Sequence, residues 1–361
     1  MEKILTIENV PANSEDELFL QISSLIESAR AHVKTAVNTV MVYTYFGVGS
    51  YIVNYEQNGK KRAEYGKETL KNLSARLTKK YEKGWSVETL KKARKFYEIY
   101  SEAKKVYTVD PIQLNFTLSW NHYQVLMRIK NPDERSFYEI ECANQNWGVR
   151  QLQRQYNSSL YERLALSKDK NEVMRLANEG QVIEKPADIL RDPLTLEFLG
   201  LSEESSYSEN HLETAIINKL QKFLLELGKG FLFEARQKRF TFDEDNFFVD
   251  LVFYNRLLQC YVLIDLKIDK LTHQDLGQMQ MYVNYFDRHV KQDFEKPTIG
   301  ILLCKEKNDA LVELTLPKDA NVYAQKYELY LPDKKLLQQK LKEWIDESEK
   351  FEQNDMEEEN K

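Results

Sequence analysis

The chain has 361 residues, 42% hydrophobic and 30% charged, with 51 Lys and Arg against 57 Asp and Glu for a formal charge of -6, a composition suited to two or three globular domains that each bury a core. No apolar run approaches the roughly 20 residues needed to span a bilayer and the start lacks a signal-peptide core, so the sequence places the protein in the cytoplasm, away from membranes. Its three cysteines, Cys142, Cys260 and Cys304, are far apart, and neither they nor the five histidines form a C-x-x-C or H-x-x-x-H pattern, which argues against a disulfide framework and a structural zinc site.

In chain order, residues 1–14 are expected to be flexible and 15–166 to form a helical domain. Ser14 with Glu17 makes a capping-box pattern, and Leu18, Ile22, Leu25, Ala29 and Val33 follow at helical spacing towards Phe46. A second helix is predicted over Lys67–Tyr81. Gly84 breaks it, and Ser86 caps a third helix containing Leu90, Ala93, Phe96, Tyr97 and Tyr100. Between Lys60 and Asp110 fifteen basic residues stand against seven acidic ones, and the third helix carries Lys91, Lys92, Arg94 and Lys95. Two helices about a Gly-containing turn fit a helix-turn-helix that meets phosphates, while the plainer arrangement is an αα-hairpin with a solvated lysine face. Helices over Trp120–Ile129 and Pro132–Leu166 complete this half, with Pro132 in a first turn and with His122 and Trp147 read as packing residues.

The pattern weakens over 167–207, where Pro186, Pro193, Gly200 and a Ser/Glu-rich run from Ser202 to Ser208 read as a domain junction. The second domain is expected over 208–345. Ser208 caps a helix over Leu212–Leu227 that Gly228 ends. Strands follow at Phe231–Phe242, Phe247–Tyr254 and Cys260–Lys267, then a helix over Gln274–Phe286, a buried strand at Thr298–Cys304, a strand near Asn321–Leu331 and a closing helix. The intervening helix predicts that the Cys260 and Thr298 strands run parallel. Residues 346–361 hold eight acidic and two basic residues, the whole of the -6, and read as a disordered acidic tail.

The densest chemistry lies on the predicted hairpin. The break Asn255–Gln259 is too short for anything but a turn, and folding about its middle sets Asp250 opposite Asp265. The two-residue period puts Lys267 on the face of Asp265 and turns Leu266 away. A D-x-K tripeptide alone is common on solvated strands. Here the strand is otherwise Phe, Val, Leu and Tyr, and directly opposed like charges destabilise a sheet unless something neutralises them, for which a divalent cation is the natural choice.

The second half resembles the nuclease domain of the bacterial YhcG family, a branch of the PD-(D/E)XK nuclease superfamily, in Phe223–Gly228, Phe248–Tyr254 and Gly277-Gln278-Met279. The first half is similar to that family's N-terminal domain in Leu118–His122 and Glu134–Tyr138. The resemblance implies an α+β, two-domain protein: an all-α, helix-turn-helix-like DNA-binding domain followed by a restriction-endonuclease-like α/β domain. It makes Asp250 and Asp265 the motif's acidic residues, Lys267 its lysine, and Glu213 the additional acid on the preceding helix. Val249 replaces the motif's proline, and Asp265 is one methylene shorter than the alternative Glu.

On this reading Asp250 and Asp265 hold Mg²⁺ or Mn²⁺, joined by the Leu266 carbonyl and by Glu213 directly or through water, and Lys267 orients or helps deprotonate the attacking water. Gln237 and Gln278 are candidates for the scissile phosphate or the water, and Lys91, Lys92, Arg94 and Lys95 for the phosphate backbone. The implied function is a Mg²⁺-dependent endonuclease acting on DNA in defence, restriction or repair, alone, as a homodimer or in a restriction-modification or defence complex. The rival is a nuclease-fold partner subunit that binds nucleic acid without cutting it.

Overall fold

The structure is a computed structural model that describes residues 38–56, 63–105, 116–166, 170–191, 193–201, 207–317, 319–343 and 345. The flexible start, the Ser14 capping box and the acidic tail lie outside the described residues. The chain divides into two compact units, Met1–Arg135 with Cys142–Leu152 and Ser136–Glu141 with Gln153–Lys361.

The first unit holds α1 (38–56), α2 (Ala63–Tyr81), α3 (Val87–Lys105) and α4 (Trp120–Leu126), and residues of α5 (Pro132–Gln145) are shared between the units. Gly84 sits in the α2–α3 turn at φ 104°, where a side chain would be strained, and Ser86 Oγ caps α3 by accepting the Thr89 N–H at 3.2 Å. Leu90, Ala93 and Phe96 are fully buried, and Phe96 packs against Phe46, Phe116, Trp120 and Tyr123. His122 bridges Ser119 Oγ and the Trp147 carbonyl at 2.7 and 2.9 Å, a packing role as its sequence context suggests.

The single helix expected over Pro132–Leu166 is three: α5, α6 (Val149–Asn157) and α7 (Leu160–Leu166). The breaks fall at Asn146 and Ser159, which adopt φ of 52° and 54°. Left-handed backbone ends a helix, and short polar side chains tolerate it best.

The second unit is built on a six-stranded sheet of order β1-β6-β5-β4-β3-β2. Its strands are β1 (Leu194–Thr195), β2 (Phe231–Phe242), β3 (Asp245–Asn255), β4 (Cys260–Lys270), β5 (Ile299–Glu306) and β6 (Val322–Glu328). β2, β3 and β4 form an antiparallel meander, whereas β4, β5, β6 and β1 run parallel. The helix α11 (His273–His289) makes the crossover from β4 to β5. Both faces are covered. Leu251, Phe253, Ile264 and Leu266 point to a core shared with α9 (Glu209–Asn218) and α10 (Leu220–Leu227). Val252, Leu263 and Leu302 point to a second core with Leu276, Met279, Tyr282 and Phe286 of α11. A Cβ on Gly300 would come within 2.6 Å of Met279, so only glycine lets α11 lie this close to β5.

The stretch 167–207 contributes α8 (Lys170–Glu179), the edge strand β1 and the buried Ile189, Leu196, Phe198 and Leu199 to this unit. Packing therefore divides the chain before residue 166, where secondary-structure type alone does not. A buried ion cluster ties these helices to this unit: Arg154 of α6 and Arg163 of α7 each reach Glu226 of α10 at 2.7 Å. The expected Leu212–Leu227 helix is also interrupted, at Lys219 with φ -124°. Among the described residues, no helix is long and apolar enough to cross a membrane, and Cys142, Cys260 and Cys304 are buried.

Candidate active site

β3 and β4 pair from Asn255 with Cys260 to Leu251 with Ile264, and one further step of the same register sets Asp250 against Asp265. The backbone ladder stops there because Asp250 Oδ2 accepts the Leu266 N–H at 2.8 Å. A side-chain carboxylate thus replaces a backbone partner and the strands part around it. The two aspartate side chains act on each other through their charges. Burial, and then the charge of Asp265, push Asp250 up to about 7; burial raises Asp265 as well, against the pull of Lys267. Repulsion between buried carboxyls is relieved when one of them keeps a proton.

Lys267 Nζ lies 2.7 Å from Asp265 Oδ2. Burial alone would lower its pKa, but the charge and hydrogen bond of Asp265, followed by Glu209, hold the ammonium above its ordinary range. Glu209 and Asp275 stand 3.9 and 3.8 Å from the same nitrogen. A positively charged lysine is therefore fixed beside the aspartate pair.

Glu213, buried on α9, is held by Arg236 and accepts from Gln237 Nε2 at 2.5 Å. The same Gln237 nitrogen reaches Asp250 Oδ1 at 2.8 Å. Gln237 does this from β2 at φ 47°, a conformation that L-residues seldom adopt. Val249 lies in the α11 core although Leu251 and Phe253 face the other one, so the alternation of β3 slips at Asp250. The irregularity spans both strands at the site.

The structure brings together Asp250, Asp265, Lys267 and Gln237, and it ties Glu213 in through Gln237. Among the described residues, no group of three His, Cys, Asp or Glu side chains is gathered for one ion. Glu213 is engaged by Arg236 and Gln237, so its link to the aspartate pair runs through Gln237. Leu266 turns its side chain into the opposite core, as expected, and enters the site through its N–H to Asp250. Gln278 does not touch the pair; it donates to Tyr282 Oη at 2.5 Å. Tyr282 itself is buried and raised to about 12 by burial and then by Asp265.

Sequence reasoning missed Tyr282, Glu209, Asp275 and Arg236. Tyr282 was findable as the residue one helical turn after Gln278, and Asp275 as the partner of Thr272 in a capping box. Arg236 and Glu209 carry no such signal. Lys91, Lys92, Arg94 and Lys95 belong to the first unit and the aspartate pair to the second. Lys91, Lys92 and Lys95 are exposed. Lys91 reaches Glu88 and Lys92 reaches Gln124, each at 2.7 Å, and Arg94 lies 3.3 Å from both Glu56 and Glu98.

Residues 187–342 match the YhcG PDDEXK nuclease domain, and residues 21–163 match the DUF1016 N-terminal domain. YhcG of Escherichia coli (strain K12), whose name carries a provisional nuclease assignment, is 37% identical over 345 residues, spanning 89% of this chain and 92% of that protein. A solved structure of a repair endonuclease from Pyrococcus abyssi overlaps 36% of this chain and 50% of that one at 19% identity and a TM-score of 0.26, too slight a likeness to bear on the site. With a relative aligned along nearly its whole length and both halves matched in order, the chain belongs to the YhcG family, and its second half is a PDDEXK nuclease domain.

Proposed function

We propose that the protein is a metal-dependent endonuclease that hydrolyses phosphodiester bonds in DNA at Asp250, Asp265 and Lys267. The observation that carries this reading is the opposed pair of carboxyls, half-buried Asp250 and buried Asp265, with an ammonium 2.7 Å from Asp265. Burying such a group is costly in a fold that makes no use of it. Two hard oxygen donors that otherwise need a shared proton suit Mg²⁺ or Mn²⁺, and such an ion would supply charge neutralisation at the phosphoryl oxygens and a water of lowered pKa.

The protein's own groups do the rest. Lys267, kept protonated by Asp265, acts as a fixed positive charge that orients water and balances charge developing on the phosphate, and not as a base. Gln237 holds Asp250 in place through Glu213 and Arg236. The lysines of α2 and α3 provide the salt-sensitive hold on the phosphate backbone. Such an activity serves defence, restriction or repair, and a homodimer would present one centre to each strand of a duplex. The second reading, a subunit that binds nucleic acid without cutting, draws support from the ion pair of Glu213 with Arg236, which already occupies that carboxylate.

A cleavage assay with Mg²⁺ or Mn²⁺ on duplex, branched and single-stranded DNA and on RNA decides between them. Cleavage is expected to stop with a chelator and to fall on the order of 1,000-fold in Asp265→Ala and Lys267→Ala, with circular dichroism unchanged. A wild-type protein that binds these substrates and leaves all of them intact with both metals would establish the non-cutting reading.

A further inference from the structure

We propose that the cavity between the end of β2 and the outer side of α11 receives an unstacked nucleobase of single-stranded nucleic acid. The inference rests on the nuclease reading and names the form of its substrate. The cavity measures about 280 Å³, and its walls include Phe240, Phe242, Met281, Tyr285, Arg288 and His289. Phe240 and Tyr285 stack with centroids 4.1 Å apart and planes 21° apart, while Phe242 leaves 58% of its surface in water. Phe240 also stacks on Phe247, so the ring surface left for a flat aromatic guest is that of Phe242, and every base offers such a face.

The polar wall fits the same guest. Arg288 and His289 are the ionisable side chains of the lining, which contains no carboxylate, so an anionic backbone meets no repulsion from it. Gln280 also lines the cavity; its Nε2 donates to Asn284 Oδ1 at 3.1 Å and its Oε1 is buried without a partner. Phe240 meets Tyr282 edge-on at 5.5 Å, and Tyr282 feels the charge of Asp265. A base inside a duplex stack cannot enter such a space, which selects single-stranded or frayed substrate.

The test uses the full chain carrying Asp265→Ala, so that the ligand stays whole, and follows fluorescence anisotropy with labelled oligodeoxythymidylate, oligouridylate and a blunt duplex of equal length. Phe242→Ala removes an exposed ring, and Gly277→Phe places a ring where a Cβ meets no atom within 4 Å at the cavity wall. Each added change is expected to weaken binding of the single strands about tenfold and to leave the duplex unaffected. A difference between the two single strands identifies the preferred nucleotide and supports the pocket equally. Unchanged single-strand affinity in both variants, or equal losses for single strands and duplex, overturns the proposal. Binding is read apart from cleavage: a wild-type chain that cuts while its variants show no such loss removes the pocket alone, and one that never cuts while they show it removes the nuclease reading alone.

Discussion

Asp250 concentrates the chemistry of the site in one titration. Its folded pKa of about 7 lies above the ordinary 3.8 because burial and Asp265 disfavour its charge. The folded state therefore binds more protons than the unfolded chain between those values, and by linkage stability falls as pH rises from about 4 through about 7. In metal-free buffer at neutral pH, Asp250→Asn is expected to raise the melting temperature by a few degrees, and Mg²⁺ to stabilise the wild type but not the variant. Differential scanning fluorimetry with and without chelator reads both, and a variant melting below wild type in chelator would contradict the repulsion. The aspartate pair and Lys267 were legible in the sequence because a strand's two-residue period and a short turn fix which residues oppose. The fate of Glu213 was not, since its partner Arg236 comes from a strand whose local twist no periodicity reveals.

At the level of elements, the meander is held to the site by a strained residue. Gln237 at φ 47° lets one amide reach both Glu213 and Asp250. Gln237→Gly relieves the strain and removes the bridge, so stability should change little while cleavage drops; Gln237→Val, β-branched in a left-handed conformation, should cost about 1–3 kcal/mol. Urea midpoints beside cleavage rates separate the two, and a glycine variant as active as wild type would show that the bridge is not needed. Gly300 places α11 in the same way, and Gly300→Ala is expected to lose about 1–3 kcal/mol by pushing against Met279 and Val283, measured by the same denaturation. The strands from Phe231 to Lys267 and the crossover helix followed from alternation and length, and the parallel β4–β5 pair followed from the crossover. The edge strand β1 did not, because a two-residue strand beside Pro193 carries no pattern. The breaks at Asn146, Ser159 and Lys219 were hidden inside apolar spacing that continues across them.

Across the second unit, an ion cluster and the active-site pair push stability in opposite directions with pH. Glu226 is buried against Arg163, Arg154 and Arg191. Burial by itself would raise its pKa, yet those guanidinium groups hold it at about 2, below the usual 4.5. A depressed carboxylate contributes stability that is complete above its unfolded value and is lost as pH falls through the folded one. Removing its charge in Glu226→Gln leaves the buried Arg163 and Arg191 short of a counter-ion, while Arg154 keeps Glu197, and is expected to cost about 3–5 kcal/mol. The Asp250 pair acts with the reverse sign, losing stability as pH rises towards about 7. Without metal the combined contribution of these two groups is greatest at mildly acidic pH, where Glu226 is still ionised and Asp250 still protonated. Occupation of the aspartate pair by Mg²⁺ offsets only the loss on the alkaline side, so that maximum should move towards neutrality when the metal is present. Urea midpoints taken across this range in chelator and in Mg²⁺ test the pair of signs; a metal-free maximum already at neutral pH would mean that the two carboxyls do not repel each other in the folded protein.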